Sequence, residues 1–395
     1  MTKRKTFAIA IISLMAALSF NLIGTTQPPT QPSVQLLTAP NPAQLLPFEA
    51  EATAPQSPAR LTLKALDATG QPLENAKIHL TIFTPPKNTW FPTDFPAVEA
   101  TKLLDIETIA PNGKLQVHQM FPIRGKYQLL VNVAPISKNQ FTPFQQKLVL
   151  FVPENPIKWI NLAILAMILL LVGSGGGWII AGKQEFMLGI IAPKRVRLLL
   201  SGVVVVAIAA LIFVNINVVT AESHSHAPDN YSENLLSTVR SEIIDSTGIK
   251  LQISGDNEAT VGQLANFQIQ AIDTKTNQPT SDLTFKIKTI QQEDKWVSFA
   301  YKGTTDANGK FAWQQQFFDG NPHKVEVEFA SKDNKATEFV PLLLTKPISV
   351  EDIAPPLSVR LVYLAYLTVI IAIGLILGFA LRRLPIEKFI HLHFH

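Results

Sequence analysis

The sequence predicts a membrane protein of mixed class, helical within the bilayer and all-β outside it. Two Ig-like antiparallel β-sandwiches alternate with about four transmembrane helices, as a tandem helix–sandwich–helix repeat. Three observations predict this. Uncharged apolar runs long enough to cross a bilayer recur along the chain, and short runs of period-two alternation fill the stretches between them. A set of turn and strand motifs also occurs twice in the same order. With 47% of residues hydrophobic and only 16% charged, the composition suits membrane spans combined with ordinary domains.

Lys3, Arg4 and Lys5 precede an apolar run, so residues 1–24 read as a signal peptide or an uncleaved signal anchor, with Ala17-Leu18-Ser19 as a small-x-small cleavage site. Either form places the adjoining segment outside the cytoplasm. Residues 25–58 carry eight prolines between Pro28 and Pro58 and no charge before Glu49, which reads as a Pro-rich linker of extended chain. Residues 59–153 change to alternating runs such as RLTLKAL, AKIHLTIF and KYQLLVNV between Pro, Gly and Asn turns, the signature of an Ig-like sandwich. One long loop there carries Trp90, Phe91 and Phe95. It is expected to fold its aromatics over the sandwich edge in preference to touching a partner or the membrane surface.

Residues 159–182 form an uncharged run of the length a span requires, with Trp159 and Trp178 placed as interface aromatics. The loop 183–197 holds Lys183, Lys194, Arg195 and Arg197 against Glu185, and short basic loops stay cytoplasmic. Residues 198–220 are a second uncharged run, and 221–247 a polar linker with an amphipathic turn or two through Leu235, Val239 and Ile243. A second Ig-like sandwich is expected over 248–346. A further span occupies 357–381, with Tyr363 and Tyr366 at its outer interface and Arg382-Arg383 at its inner end, then a cytoplasmic tail, 382–395. The chain therefore reads as a multi-pass protein of a bacterial inner (plasma) membrane, both sandwiches extracytoplasmic and the C-terminus cytoplasmic.

Charge agrees with that topology. The cytoplasmic segments hold ten Lys/Arg against two Asp/Glu, leaving twenty-four against twenty-eight elsewhere. The basic balance is thus positive-inside asymmetry and not a nucleic-acid patch, so no nucleic-acid partner is expected. The absence of cysteine excludes thiolate metal chemistry and structural disulfides.

The internal repeat pairs Ala65-Leu66-Asp67…Gln71-Pro72 with Ala271-Ile272-Asp273…Gln278-Pro279, and Asn112-Gly113-Lys114 with Asn308-Gly309-Lys310. It serves as a filter, because a site used by both copies should keep its residues in both.

Of the residues able to carry chemistry, His224 and His226, flanked by Glu222 and Asp229, are the best transition-metal candidates: alternate imidazoles on a linker can chelate Cu²⁺, Ni²⁺ or Zn²⁺. His391, His393 and His395 alternate likewise but read as incidental. Asp306-x-Asn308-Gly309 could open a calcium loop, yet its counterpart has Ala110 in place of the acid, so a hairpin turn explains both copies. Gly173 and Gly177 form a GxxxG pair that Ala181 extends, a stripe permitting close helix packing. No span carries a charged or His side chain in its interior, against a stand-alone pump or channel. No phosphate loop, GxSxG elbow, HExxH or paired-carboxylate motif is present, so neither an enzyme nor a cofactor is expected.

The segment DANGKFAWQQQFFDGNPHKVEVEF, followed by IAPPLSVRLVYLAYL and Arg382-Arg383, resembles a group of bacterial membrane-anchored proteins with a small extracytoplasmic sandwich and a C-terminal helix. In style it is similar to carboxypeptidase-regulatory-like domains and to sandwich accessory proteins found beside metal-ion transport systems. The resemblance centres on Phe318-Asp319-Gly320…His323, and the first copy has neither the Asp nor the His. It implies an envelope location and an Ig-like fold. The function expected is a binding or scaffold subunit of a cell-envelope complex, with the bilayer and other membrane or envelope proteins as partners. The alternative is an accessory of a transition-metal (Ni/Co/Cu) transport system.

Overall fold

The computed structural model describes residues 31–49, 56–137, 140–182, 202, 241–244, 248–330 and 342–383. The expected segments 1–24, 183–197, 221–240 and 384–395 lie outside these, as does 198–220 apart from Gly202.

The first half contributes strands β1 (Ser33–Ala39), β2 (Ala59–Leu66), β3 (Ala76–Phe83), β4 (Lys102–Ala110), β5 (Lys114–Gln119), β6 (Gly125–Pro135) and β7 (Phe144–Val152), then helix α1 (Pro156–Ile180). The second contributes β8 (Glu242–Ile244), β9 (Ile249–Gly255), β10 (Glu258–Thr260), β11 (Leu264–Asp273), β12 (Thr284–Gln291), β13 (Val297–Thr304), β14 (Lys310–Gln316), β15 (His323–Ala330) and β16 (Leu342–Glu351), then helix α2 (Leu357–Arg383).

Inward side chains obey the period-two rule. Along β3, Ile78, Leu80 and Ile82 are fully buried, while on β6 Tyr127, Leu129, Val131 and Val133 take the same role. Both β blocks are sandwich-forming, and they are joined. One sheet runs β1-β2-β5-β13-β12-β15-β16-β10 and the other β7-β6-β3-β4-β14-β11-β9-β8. The joins are β5 to β13 (Ala300 opposite His118) and β4 to β14 (Gln314 opposite Asp105), each antiparallel. Taken alone, the first half would leave β4 and β5 as open edges, with unpaired N–H and C=O groups. The second half would do the same at β13 and β14. Edge-to-edge pairing satisfies these groups and lets Leu104, Ile106, Val117, Phe299, Tyr301 and Trp313 close one shared interior.

Part of the 25–58 stretch is not a spacer. Ser33–Ala39 pairs along its length with β2, and the segment after it sends Leu45 and Phe48 into the core at 2% and 4% exposure. Its prolines flank the strand instead of interrupting it, as suits an edge strand. Ile243, expected on a helical turn, lies on β8 paired with β9.

The two hairpin turns flagged by the repeat have matching bonds. Ala65 N–H donates to Gly113 O and Ala271 N–H to Gly309 O, both at 2.8 Å, and both glycines have positive φ (60° and 66°). A Cβ on Gly113 would lie 2.6 Å from Leu73 O, so glycine is required there by space as well as by φ.

Candidate membrane anchor

Two described helices, α1 and α2, are long and apolar enough to cross a membrane. At 1.5 Å per residue they extend about 37 and 40 Å, against roughly 30 Å of hydrocarbon. A buried core helix would hide such surface. Here only Gly173 and Gly177 of α1 and Gly374 and Gly378 of α2 are buried, while Leu171 and Ile376 are 66% and 68% exposed. Helices apolar all round with free side chains suit lipid, not water.

The buried glycines are the contact between the helices. A Cβ on Gly173 would lie 2.5 Å from Ile371 O, and one on Gly374 would lie 2.6 Å from Leu170 O. Gly177 faces Leu375 and Phe379, and Gly378 faces Ser174. Each helix thus lays a GxxxG stripe against the other's backbone, so that van der Waals contact and not hydrophobic exclusion holds the pair. Ala181 ends α1, its N–H donating to Gly177 O at 3.0 Å, and the close approach runs on through Gly182 beside Arg382. Sequence reasoning misses Gly374 and Gly378, although their spacing is the same signal that marks Gly173 and Gly177.

The helices run parallel, both leaving the base of the sandwich. At the near end Pro156 opens α1 and the Asn155 side chain accepts from Ile157 N–H at 3.0 Å, the residue pair that favours a helix start. At the far end Arg382 donates to Trp178 O at 2.6 Å and stacks over its ring, and Arg383 sits 4.1 Å from the Phe379 ring centroid.

One loop, 87–96, joins the sandwich to both helices. Its Asp94 and the nearby Glu49 pair with Lys158 of α1. Its carbonyls at Trp90 and Pro92 accept from Tyr366 and Tyr363 of α2, the latter at 3.2 Å. Asn88 Oδ1 accepts from Trp90 and Phe91 N–H at 3.1 and 3.0 Å, and buried Glu99 accepts from Thr93 N–H and Oγ1 at 3.0 and 2.8 Å. Arg124 bridges this loop to the root of α1, donating to Phe91 O at 3.1 Å and pairing with Glu154 at 2.5 Å. Phe95 turns inward against Phe48 and Phe318, as a loop folding over the sandwich edge should, but Trp90 and Phe91 turn outward at 70% and 59% exposure.

The remaining sequence candidates separate. His224 and His226 lie outside the described residues, as do His391, His393 and His395. Asp306 Oδ1 accepts from Asn308 and Lys310 N–H at 2.9 and 2.7 Å, so its carboxylate is used to build a turn. His323 is fully buried between Trp296 and Phe317, with Nδ1 2.7 Å from Asn321 O, and burial lowers its pKa to about 4. Asp319 is held beside Asn321. Burial first, with Asp352 and Glu293 adding to it, pushes its carboxyl up to about 6. Both therefore belong to the packed base of the second half. Among the described residues no group of three His, Asp or Glu could hold a metal ion.

No family model and no curated protein matches the chain. Among solved structures it is similar to the adhesin InvE of Yersinia pseudotuberculosis at 12% identity and a TM-score of 0.20, covering 81% of this chain and 60% of that one. It is also similar to the D0-D1 domain of intimin at 10% identity and TM-score 0.17, covering 80% and 97%. A conjugative transposon lipoprotein from Bacteroides eggerthii matches at 12% identity and TM-score 0.19, over 26% of this chain and 98% of that one. At scores this low the likeness is no guide to fold or activity.

Proposed function

We propose that this protein is a non-catalytic scaffold of the bacterial envelope, a single double sandwich held on a pair of packed membrane helices. The observation that carries the reading is the parallel α1–α2 pair, apolar on every outward face and close-packed through glycine. Such an anchor fixes the sandwich at the membrane surface, where its sheet faces and distal turns stay open to envelope partners. The outer side of one sheet brings Asp105, Gln268 and Gln314 together.

Topology supports more spans than the two described. β7, just before α1, and β8, the next strand after it, belong to the same sheet of the sandwich. If α1 crosses the bilayer, the chain must cross back between Gly182 and Ser241, and 198–220 is the apolar run available. The proposed arrangement places the sandwich outside the cytoplasm and the basic 183–197 loop and the C-terminal tail within it. Repetition of the β half is supported by the pairings themselves. If β4 and β5 of the first half correspond to β13 and β14 of the second, the two joins map onto each other, as the two sides of a two-fold interface do.

Purification from native membranes in mild detergent tests the scaffold role. Stoichiometric membrane or envelope partners are expected, and recovery of a lone monomer overturns it. The transition-metal reading rests on His224 and His226 and on the resemblance to sandwich accessory proteins of metal-ion transport systems. Calorimetric titration of the purified protein with Cu²⁺, Ni²⁺ and Zn²⁺ tests it, and absence of binding removes it.

A further inference from the structure

We propose that the loop 87–96 is an interfacial membrane anchor, with Trp90 and Phe91 seated in the leaflet nearest the sandwich. The proposal rests on the membrane reading of α1 and α2.

Depth is the first argument. The uncharged run of α2 begins at Leu361, and Tyr366 lies about 7 Å further along the axis at 1.5 Å per residue. The Tyr366 hydroxyl donates to Trp90 O, and its ring stacks on Phe91 at 6.3 Å between centroids with 20° between planes. The loop tip is therefore level with a part of α2 already inside its apolar stretch. A sandwich standing clear of the bilayer could not make that contact.

Rigidity is the second. Asn88, Glu99 and Arg124 tie down the loop backbone, so the outward pose of Trp90 and Phe91 is built and not incidental. Phe95 in the same loop is turned into the core, showing that the loop sorts its aromatics by destination.

Chemistry names the occupant. Trp with Tyr beside it is the side-chain set that partitions to the headgroup boundary, where an apolar ring and a polar edge are both satisfied. Arg360 lies one turn before Tyr363, with its Nε on Pro355 O, at the height where a guanidinium meets lipid phosphate. The patch is continuous with the lipid-facing surface of α2, which a separate protein partner would have to displace.

The chain has no cysteine, so single-cysteine spin labelling reads depth directly. The full chain would carry Trp90→Cys, and in separate variants Met167→Cys on α1 and Asn112→Cys at the distal turn, in phosphatidylcholine/phosphatidylglycerol vesicles. Oxygen accessibility is compared with that of a water-soluble nickel chelate. Position 90 is expected to show several-fold lower nickel accessibility than position 112 while keeping oxygen access, at a depth shallower than position 167. If position 90 matches position 112 while 167 is lipid-shielded, the loop is in water and the proposal is overturned with the membrane reading intact. Shielding of position 90 from both probes overturns it in favour of a protein cover. Free nickel access at position 167 overturns the membrane reading, and the anchor with it.

Discussion

The hydroxyls of Thr108 on β4 and Tyr301 on β13 meet at 2.5 Å, linking opposite sheets and opposite halves of the chain inside the shared core. The two residues are 193 positions apart and both are buried. Burial pushes the Tyr301 phenol up to about 12, so it stays protonated.

Removing one member should leave the other without its partner. Tyr301→Phe is expected to destabilise the protein by about 1–3 kcal/mol, and Thr108→Val by a similar amount, whereas the double variant should cost less than their sum. Urea unfolding of the four proteins measures the coupling, and strict additivity would show that the hydroxyl pair does nothing.

The glycine stripes give a positional contrast. Gly173→Leu and Gly378→Leu must push the helices apart and should lower the melting temperature in detergent. Gly175→Leu, where a Cβ meets nothing within 4 Å, should leave it unchanged or raise it. Equal effects at all three positions would contradict the helix contact.

The hairpin turns make a matched pair. Gly113→Ala and Gly309→Ala each force a side chain into positive φ, at about 1–2 kcal/mol before any clash with the facing carbonyls. Similar losses by thermal denaturation are expected in both halves, within one cooperative transition because the halves share a core.

Acidity acts on the second half with opposite signs at two neighbours. Asp319 has its pKa raised to about 6, so its burial favours the protonated form, and its contribution to stability falls as pH rises from about 4 to 6. His323 has its pKa lowered to about 4, so its contribution falls as pH drops from 6.5 to 4. In the native chain the two trends oppose each other. Asp319→Asn should expose the His323 trend alone, a loss of up to about 3 kcal/mol on acidification through that window. Equilibrium unfolding at stepped pH reads it, and an unchanged pH profile in the variant counts against the assignment.

Much of the architecture is legible because it rests on periodicity. Alternation identifies β2, β3, β5 and β6, and apolar length identifies α1 and α2 to within a few residues. β4 is harder to see. Asp105 and Glu107 break its apolar run, and Asp105 is placed there to meet His79 at 2.6 Å on the outer face. β1 is masked by its flanking prolines. The joining of the two halves within each sheet is not readable at all, because no local pattern distinguishes an edge strand that faces water from one that meets a partner edge. At the anchor, Gly173 and Gly177 can be read, and their counterparts Gly374 and Gly378 carry the same spacing. The contacts of Tyr363 and Tyr366 with the loop bring together residues more than 270 positions apart, which no local spacing can announce.

The two halves are fastened to each other by two strand pairings, by the touching helices, by the loop carbonyls that Tyr363 and Tyr366 bind, and by the packing of Phe48 and Phe95 on Phe318. The chain therefore closes a circuit through contacts as well as through its covalent backbone. A protease that cuts once between Gly182 and Ser241 would leave two fragments that still travel as one particle through native electrophoresis, parting only when detergent and denaturant act together.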